Sequence, residues 1–189
     1  MRNKNACALG TLSAMPRPFR WWPACAAGLI GALCAASAHA TCSGSGLGTL
    51  NCSATVSATA LSFGNYSAGT TSATTTTGTV TVMATFSGRI LGTDTLSYTV
   101  SLSGGNSGTT TSRYMSYGSY VLNYNLYTSS TYGTVWATDT VSGSASASVG
   151  FNGNASASTT HTVYGRIPVG QYTAAPGSYT DTITVTVTY

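Results

Sequence analysis

The sequence predicts an all-β fold, an antiparallel sandwich or barrel, on three observations. Beyond residue 40 the chain is dominated by Thr, Ser, Gly, Ala, Val and Tyr, and Glu and Lys, which fill helix surfaces, are absent. Segments in which apolar residues alternate with Thr or Ser recur along the chain, the period-two signature of a strand with one buried face. Clusters of Gly, Asn and Ser separate these segments and read as turns.

The first forty residues read as an export signal and not as part of the fold. Arg2, Lys4, Arg17 and Arg20 make a basic start, "WWPACAAGLIGALCAASA" is apolar, and Ala38-His39-Ala40 has the form of a cleavage site. The expected division is therefore 1–40, a removed signal peptide, and 41–189, a single domain with enough chain to bury its own core.

The formal net charge of +4 resides in the signal, because the remainder balances Arg89, Arg113 and Arg166 against Asp94, Asp139 and Asp181. Three scattered arginines and no lysine cannot neutralise a run of phosphates or anionic headgroups, which argues against a nucleic-acid partner. No uncharged apolar run in 41–189 approaches the ~18 residues of a spanning helix, so no membrane insertion is expected.

Cys7, Cys25 and Cys34 leave with the signal, and Cys42 and Cys52 then have one intrachain pairing, which closes "CSGSGLGTLNC". Such a loop is worth roughly 2 to 3 kcal/mol in chain entropy. Two thiolates without nearby histidines fall short of the usual metal ligand set.

Seven or eight strands follow in order. "CSATVSATA" places Cys52, Ala54, Val56, Ala58 and Ala60 on one face, and Leu61 and Phe63 then appear on the other parity, the mark of a bulge or a change of sheet. "GTVTVMATF" and "TLSYTVSLS" alternate as two separate strands. "YVLNYNLY" sets Leu122, Tyr124 and Leu126 on one face, "GTVWA" is a short piece carrying Trp136, and "SASVGF" precedes the turn Asn152-Gly153. "THTVYGRI" and "DTITVTVTY" complete the set, and the low-complexity stretches between read as hairpins or surface loops.

Four stretches, "LSFGNY" (61–66), "RYM…LNYNLY…TVWATDT" (113–140), "YGRIPVGQ" (164–171) and "GSYTDTITVTVTY" (177–189), resemble, in order, the spore coat protein U domain family, which also forms the subunits of archaic chaperone–usher pili. The resemblance implies an immunoglobulin-like sandwich that lacks its final strand. It also implies export to the periplasm and then the cell surface, with a periplasmic chaperone, an outer-membrane usher and other pilus or coat subunits as partners. The missing strand would come first from the chaperone and then from the next subunit by β-strand addition. Ile183, Val185, Val187 and Tyr189 would line the groove that receives it.

The family commonly carries a cysteine where Met83 stands, so Cys42 is the available partner of Cys52. The segment "TCSGSGLGTLN" offers only Leu47 and Leu50, three apart and therefore on opposite faces, where a donated strand needs large apolar residues spaced by two. A pilus subunit of this kind is expected at a terminal, adhesive position, receiving a strand and giving none.

Chemistry has little to stand on. One histidine, His161, remains, with no glutamate and no G-x-S-x-G elbow, so no enzyme and no cofactor are expected. Asp94, Asp139 and Asp181 read as solvated or turn-capping carboxylates, an Arg166–Asp181 ion pair between neighbouring strands is conceivable, and Trp136 reads as a core anchor. Tyr114, Tyr117 and Tyr120, spaced by three around a glycine, read as a loop that covers the sandwich edge or contacts a surface or glycan. Two alternatives to the pilus stand: a secreted spore-coat or matrix protein that self-associates by strand exchange, and a small outer-membrane barrel. The barrel needs an outward apolar band, and several strands carry Ala or Ser there.

Overall fold

The computed structural model describes residues 42–189 in full and residues 4–14 as backbone. The apolar stretch and the cleavage site of the expected signal lie outside these residues. The strands are β1 (Lys4–Ala14), β2 (Cys42–Ala58), β3 (Thr74–Leu102), β4 (Tyr114–Tyr117), β5 (Tyr120–Asn123), β6 (Asn125–Tyr127), β7 (Val141–Val149), β8 (Asn154–Ile167) and β9 (Tyr179–Thr188). A single 3-10 turn, Gly105–Ser107, is the only helical element among the described residues. Every pairing is antiparallel, and the sheet curls into a nearly closed, immunoglobulin-like sandwich.

The two strands expected in "GTVTVMATF" and "TLSYTVSLS" are one element, the 29-residue β3. The intervening "SGRILGTD" reads as a turn, yet it stays paired: β2 runs beside both halves, from Cys42 opposite Leu96 to Ala58 opposite Val80. On the other side β8 pairs with 74–87 and β7 with 92–100. Left-handed residues accumulate at one level of all three rails, at Gly46 and Gly48, at Gly88 and Leu91, and at Gly153. There the strands fold over together.

Contacts across the fold-over show the two halves lying against each other. The disulfide Cys42–Cys52 joins the halves of β2 with Cα atoms 6.4 Å apart. Arg89 Nε lies 3.6 Å from Asp94 Oδ1 within β3, and Thr159 Oγ1 of β8 donates to the Ser144 carbonyl of β7 at 2.9 Å. Inward residues of both halves, Val80, Val82 and Phe86 from the first and Leu96, Val100 and Leu102 from the second, share one core with Trp136 and β9. The outward positions are mostly Thr and Ser, the reverse of the apolar band of a membrane barrel.

Several local expectations resolve differently. Leu61 and Phe63 are buried but come from the chain after β2 has ended, so the parity change marks the end of the strand. The low-complexity "SGSASASVGFNGNASASTT" forms β7, its turn and the start of β8. Asp94, expected near solvent, is fully buried because it shares inward parity with Leu96 and lies beneath Gly44, where any side chain would strike its carboxylate. Met83 is outward and exposed, opposite Thr55 and Ser158.

Replacing both Cys42 and Cys52 by Ser should lower the unfolding free energy by about 2 to 3 kcal/mol in urea titration. An unchanged midpoint would show that the fold-over holds without its staple.

Candidate strand-acceptor edge

β9 is the strand on which the candidate site is built. Its sequence alternates, so Tyr179, Asp181, Ile183, Val185 and Val187 turn inward and are buried while the intervening threonines face out. One long edge is fixed. Thr99–Leu102 of β3 pair with Thr188–Val185, the Ser103 amide donates to the Thr184 carbonyl at 3.0 Å, and the Thr184 amide donates to Ser103 Oγ at 2.9 Å. Farther along, Asn106 Nδ2 donates to the Thr180 carbonyl at 2.9 Å, and Ser116 of β4 bridges Thr180.

Because Thr184 sends both backbone groups to that side, Ile183, Val185 and Val187 send theirs to the opposite edge. That edge takes an antiparallel strand. β1 runs along it from Lys4 opposite Thr188 to Ala14 opposite Tyr179, with one irregularity between Ala8 and Thr11. A small apolar cleft of about 30 Å³ is lined by Ala58 at the end of β2, by Thr59 to Leu61 after it, and by Leu102, Ile183 and Val185 among others. Ile183, Val185 and Val187 therefore have buried side chains within the core and present their backbone to the edge, and Tyr189 is half-buried against the core.

A buried polar cluster fixes the strand's start. Arg113 is fully buried and uses all five of its N–H donors: Nε to the Ser103 carbonyl, Nη1 to the Thr110 carbonyl and Asn125 Oδ1, and Nη2 to the Leu102 and Trp136 carbonyls. Burial pulls the guanidinium down to about 10, with Tyr124 and Asp181 acting in the other direction, so it stays charged at neutral pH. Asp181 accepts from the Tyr124 hydroxyl at 2.7 Å, the Asn106 amide at 2.7 Å and the Thr182 amide at 2.7 Å. Burial, and then the bond to Asp181, push the Tyr124 hydroxyl far above its ordinary value, which keeps it a neutral donor.

This corrects the expected Arg166–Asp181 pair. Asp181 is turned inward, whereas the Arg166 guanidinium lies 5.2 Å over the ring of Tyr132. Of the three carboxylates only Asp139 sits exposed in a turn.

Tyr114, Tyr117 and Tyr120 are on a two-residue hairpin and not in an irregular loop, because Gly118 takes the left-handed position between β4 and β5. Tyr114 is half-buried, while Tyr117 and Tyr120 are 46 % and 47 % exposed and oppose each other. Tyr117 leans on Tyr179, with ring centroids 5.9 Å apart. A second exposed apolar set, which sequence reading did not single out, gathers at the fold-over: Leu47, Ile90, Leu91 and Phe151.

His161 bonds through Nε2 to the Tyr98 hydroxyl at 2.9 Å and packs edge-on to Trp136. Burial lowers its pKa, so the ring is neutral at pH 7. Among the described residues no group of three His, Cys, Asp or Glu is placed to hold a metal.

Among known families, the Spore Coat Protein U domain matches the chain over residues 32–186. No curated protein matches the chain.

Replacing Arg113 by Met should cost about 3 kcal/mol or more, since it strands buried carbonyls and the Asn125 side chain. Replacing Arg166 by Met should cost under about 1 kcal/mol. Equal urea midpoints for the two variants would refute this ordering.

Proposed function

Because the chain belongs to the Spore Coat Protein U domain family, we propose that it is an exported subunit of a pilus-type surface assembly whose β9 edge is completed by a strand from another chain. The observation that carries this reading is the antiparallel strand seated along Tyr179–Thr188. That strand comes from residues 4–14, inside the segment expected to be cleaved at export. Its loss leaves a row of unpaired amides and carbonyls beside an apolar cleft, an arrangement that recruits another strand.

A periplasmic chaperone fills the edge first, and at the outer-membrane usher another subunit replaces it. The register supports an occupant of about ten residues, since β9 offers backbone groups to it over its whole length.

Residues 42–51 favour a terminal position. They already form the first part of β2, paired with β3 and bound by the disulfide, so they are not available to donate forward. Contact with a surface falls to the exposed apolar residues, either at the fold-over or on the Tyr117–Tyr120 hairpin. The domain does this by binding and assembly, without chemistry. A secreted coat built by the same strand exchange is the second reading, favoured by the self-pairing of β1 and β9 within one chain.

Hydrogen exchange on residues 41–189, alone and with the chaperone, tests the proposal. The amides of Ile183, Val185 and Val187 should exchange rapidly without a partner strand and become protected with one, while Thr184 stays protected in both. A folded monomer in which all four are protected without a partner would sink strand acceptance.

A further inference from the structure

β5 stands at one end of the sheet order, and a terminal strand presents backbone groups on which another strand can form. Asn123 turns both of its groups away from β4 and into the side chain of Gln171. Its amide donates to Gln171 Oε1 at 2.6 Å, and Gln171 Nε2 donates to its carbonyl at 2.9 Å. Backbone direction alternates along a strand, so Val121 points its amide and carbonyl the same way. The outer edge of β5 therefore consists of Val121 and Asn123, and Asn123 is already occupied.

A primary amide carries a donor and an acceptor side by side, and here it makes the reciprocal bonds that a residue of a neighbouring antiparallel strand would make. We propose that Gln171 closes the β5 edge to strand addition and keeps a second copy of the domain from pairing there. As a determinant of assembly this rests on the strand-acceptance reading, whereas the closure of the edge does not.

The cap is held from behind. Gln171 lies in the loop after β8, where its own amide donates to the Tyr66 hydroxyl at 3.0 Å. That hydroxyl donates to the Pro168 carbonyl at 3.4 Å, and Gln171 Nε2 makes a second bond to the same carbonyl at 3.2 Å. Tyr66 belongs to the chain after β2, so a distant segment fixes the loop that carries the cap. A side chain positioned in this way loses less rotamer freedom on capping than a free glutamine would.

This edge has reason to be closed. Tyr120 and Val121 expose large apolar side chains beside it, and apolar residues next to unpaired backbone favour self-pairing. Two copies of β5 lying antiparallel would match Val121 of each with Asn123 of the other, so both matches use Asn123. Occupying Asn123 alone removes both. The rings of Tyr117 and Tyr120 remain exposed, so the hairpin is still open to contact. The β9 edge, by contrast, meets a strand along its length.

The test uses the full chain, in which β1 covers the β9 edge, and reads sedimentation velocity and amide exchange over a range of protein concentrations. In the wild type the Asn123 amide is expected to exchange slowly and the Val121 amide rapidly at every concentration. Gln171→Ala should speed Asn123 exchange about tenfold in dilute solution. At high concentration it should cause self-association that protects Val121 and Asn123 together. Adding Val121→Pro, which removes an outward amide at an edge position where proline is tolerated, should reverse that association. Concentration-dependent protection of Val121 in the wild type, no association of Gln171→Ala, or association undiminished by the added proline would each overturn the proposal. Failure of strand acceptance would be read elsewhere, at Ile183, Val185 and Val187.

Discussion

A strand as long as β3 can enter a small sandwich only by folding over, and both of its neighbours must fold at the same level to keep their hydrogen bonds. The left-handed glycines of β2 and β3 and the turn between β7 and β8 meet this requirement together. The two halves of each rail are then tied by a different bond: a disulfide in β2, the Arg89–Asp94 pair in β3, and a side chain to backbone bond between β8 and β7. Once the three rails are folded, their inward residues face one another and define the core. β9 then closes one side of it.

The second constraint acts at the other end of the core. After β3, the chain crosses through residues 103–113 without strand pairing before β4, β5 and β6, which leaves carbonyls to be satisfied inside the domain. Arg113 supplies the donors for two of them, at Ser103 and Thr110, for the flanking carbonyls of Leu102 and Trp136, and for Asn125. Asp181 binds the same crossing to β9 through Tyr124 and Asn106. A buried ion is costly when unpaired, and here Arg113 and Asp181 are each saturated by hydrogen bonds, those of Asp181 also fixing the position of β9. The start of β9 is anchored to the crossing in this way.

Much of this was legible from parity. Asp181 falls in step with Ile183, Val185 and Val187, and Asp94 with Leu96, Tyr98, Val100 and Leu102, so both belong on inward faces. Reading them as turn carboxylates weighed residue type above position. The inward face of β9, the core role of Trp136 and the Cys42–Cys52 disulfide followed from alternation and cysteine count, whereas "GTVWA", expected as a strand, contributes only the isolated bridge Tyr127 to Val135, and "YVLNYNLY" divides into β5 and β6. The continuity of β3 did not, because "SGRILGTD" carries the Gly and Asp signals of a turn and only pairing with two neighbours keeps it in the sheet. The partners of Arg113 were equally hidden, since they are mostly backbone carbonyls that no side-chain pattern reveals.

The exposed apolar residues and the β9 edge lie at separate places on the domain. The Ile90 to Thr99 stretch of β3 spans roughly 30 Å, with the exposed Leu47, Leu91 and Phe151 at its folded end and the terminus of β9 at the other. A strand added to β9 therefore leaves the folded end uncovered, and an apolar surface there persists in the completed domain. The disulfide and the Arg89–Asp94 pair stiffen that end without β9's participation. The fold-over is thus held by the Cys42–Cys52 disulfide and the Arg89–Asp94 pair, and the long edge of β9 by β3, so that the two ends of the core are fixed by separate sets of contacts.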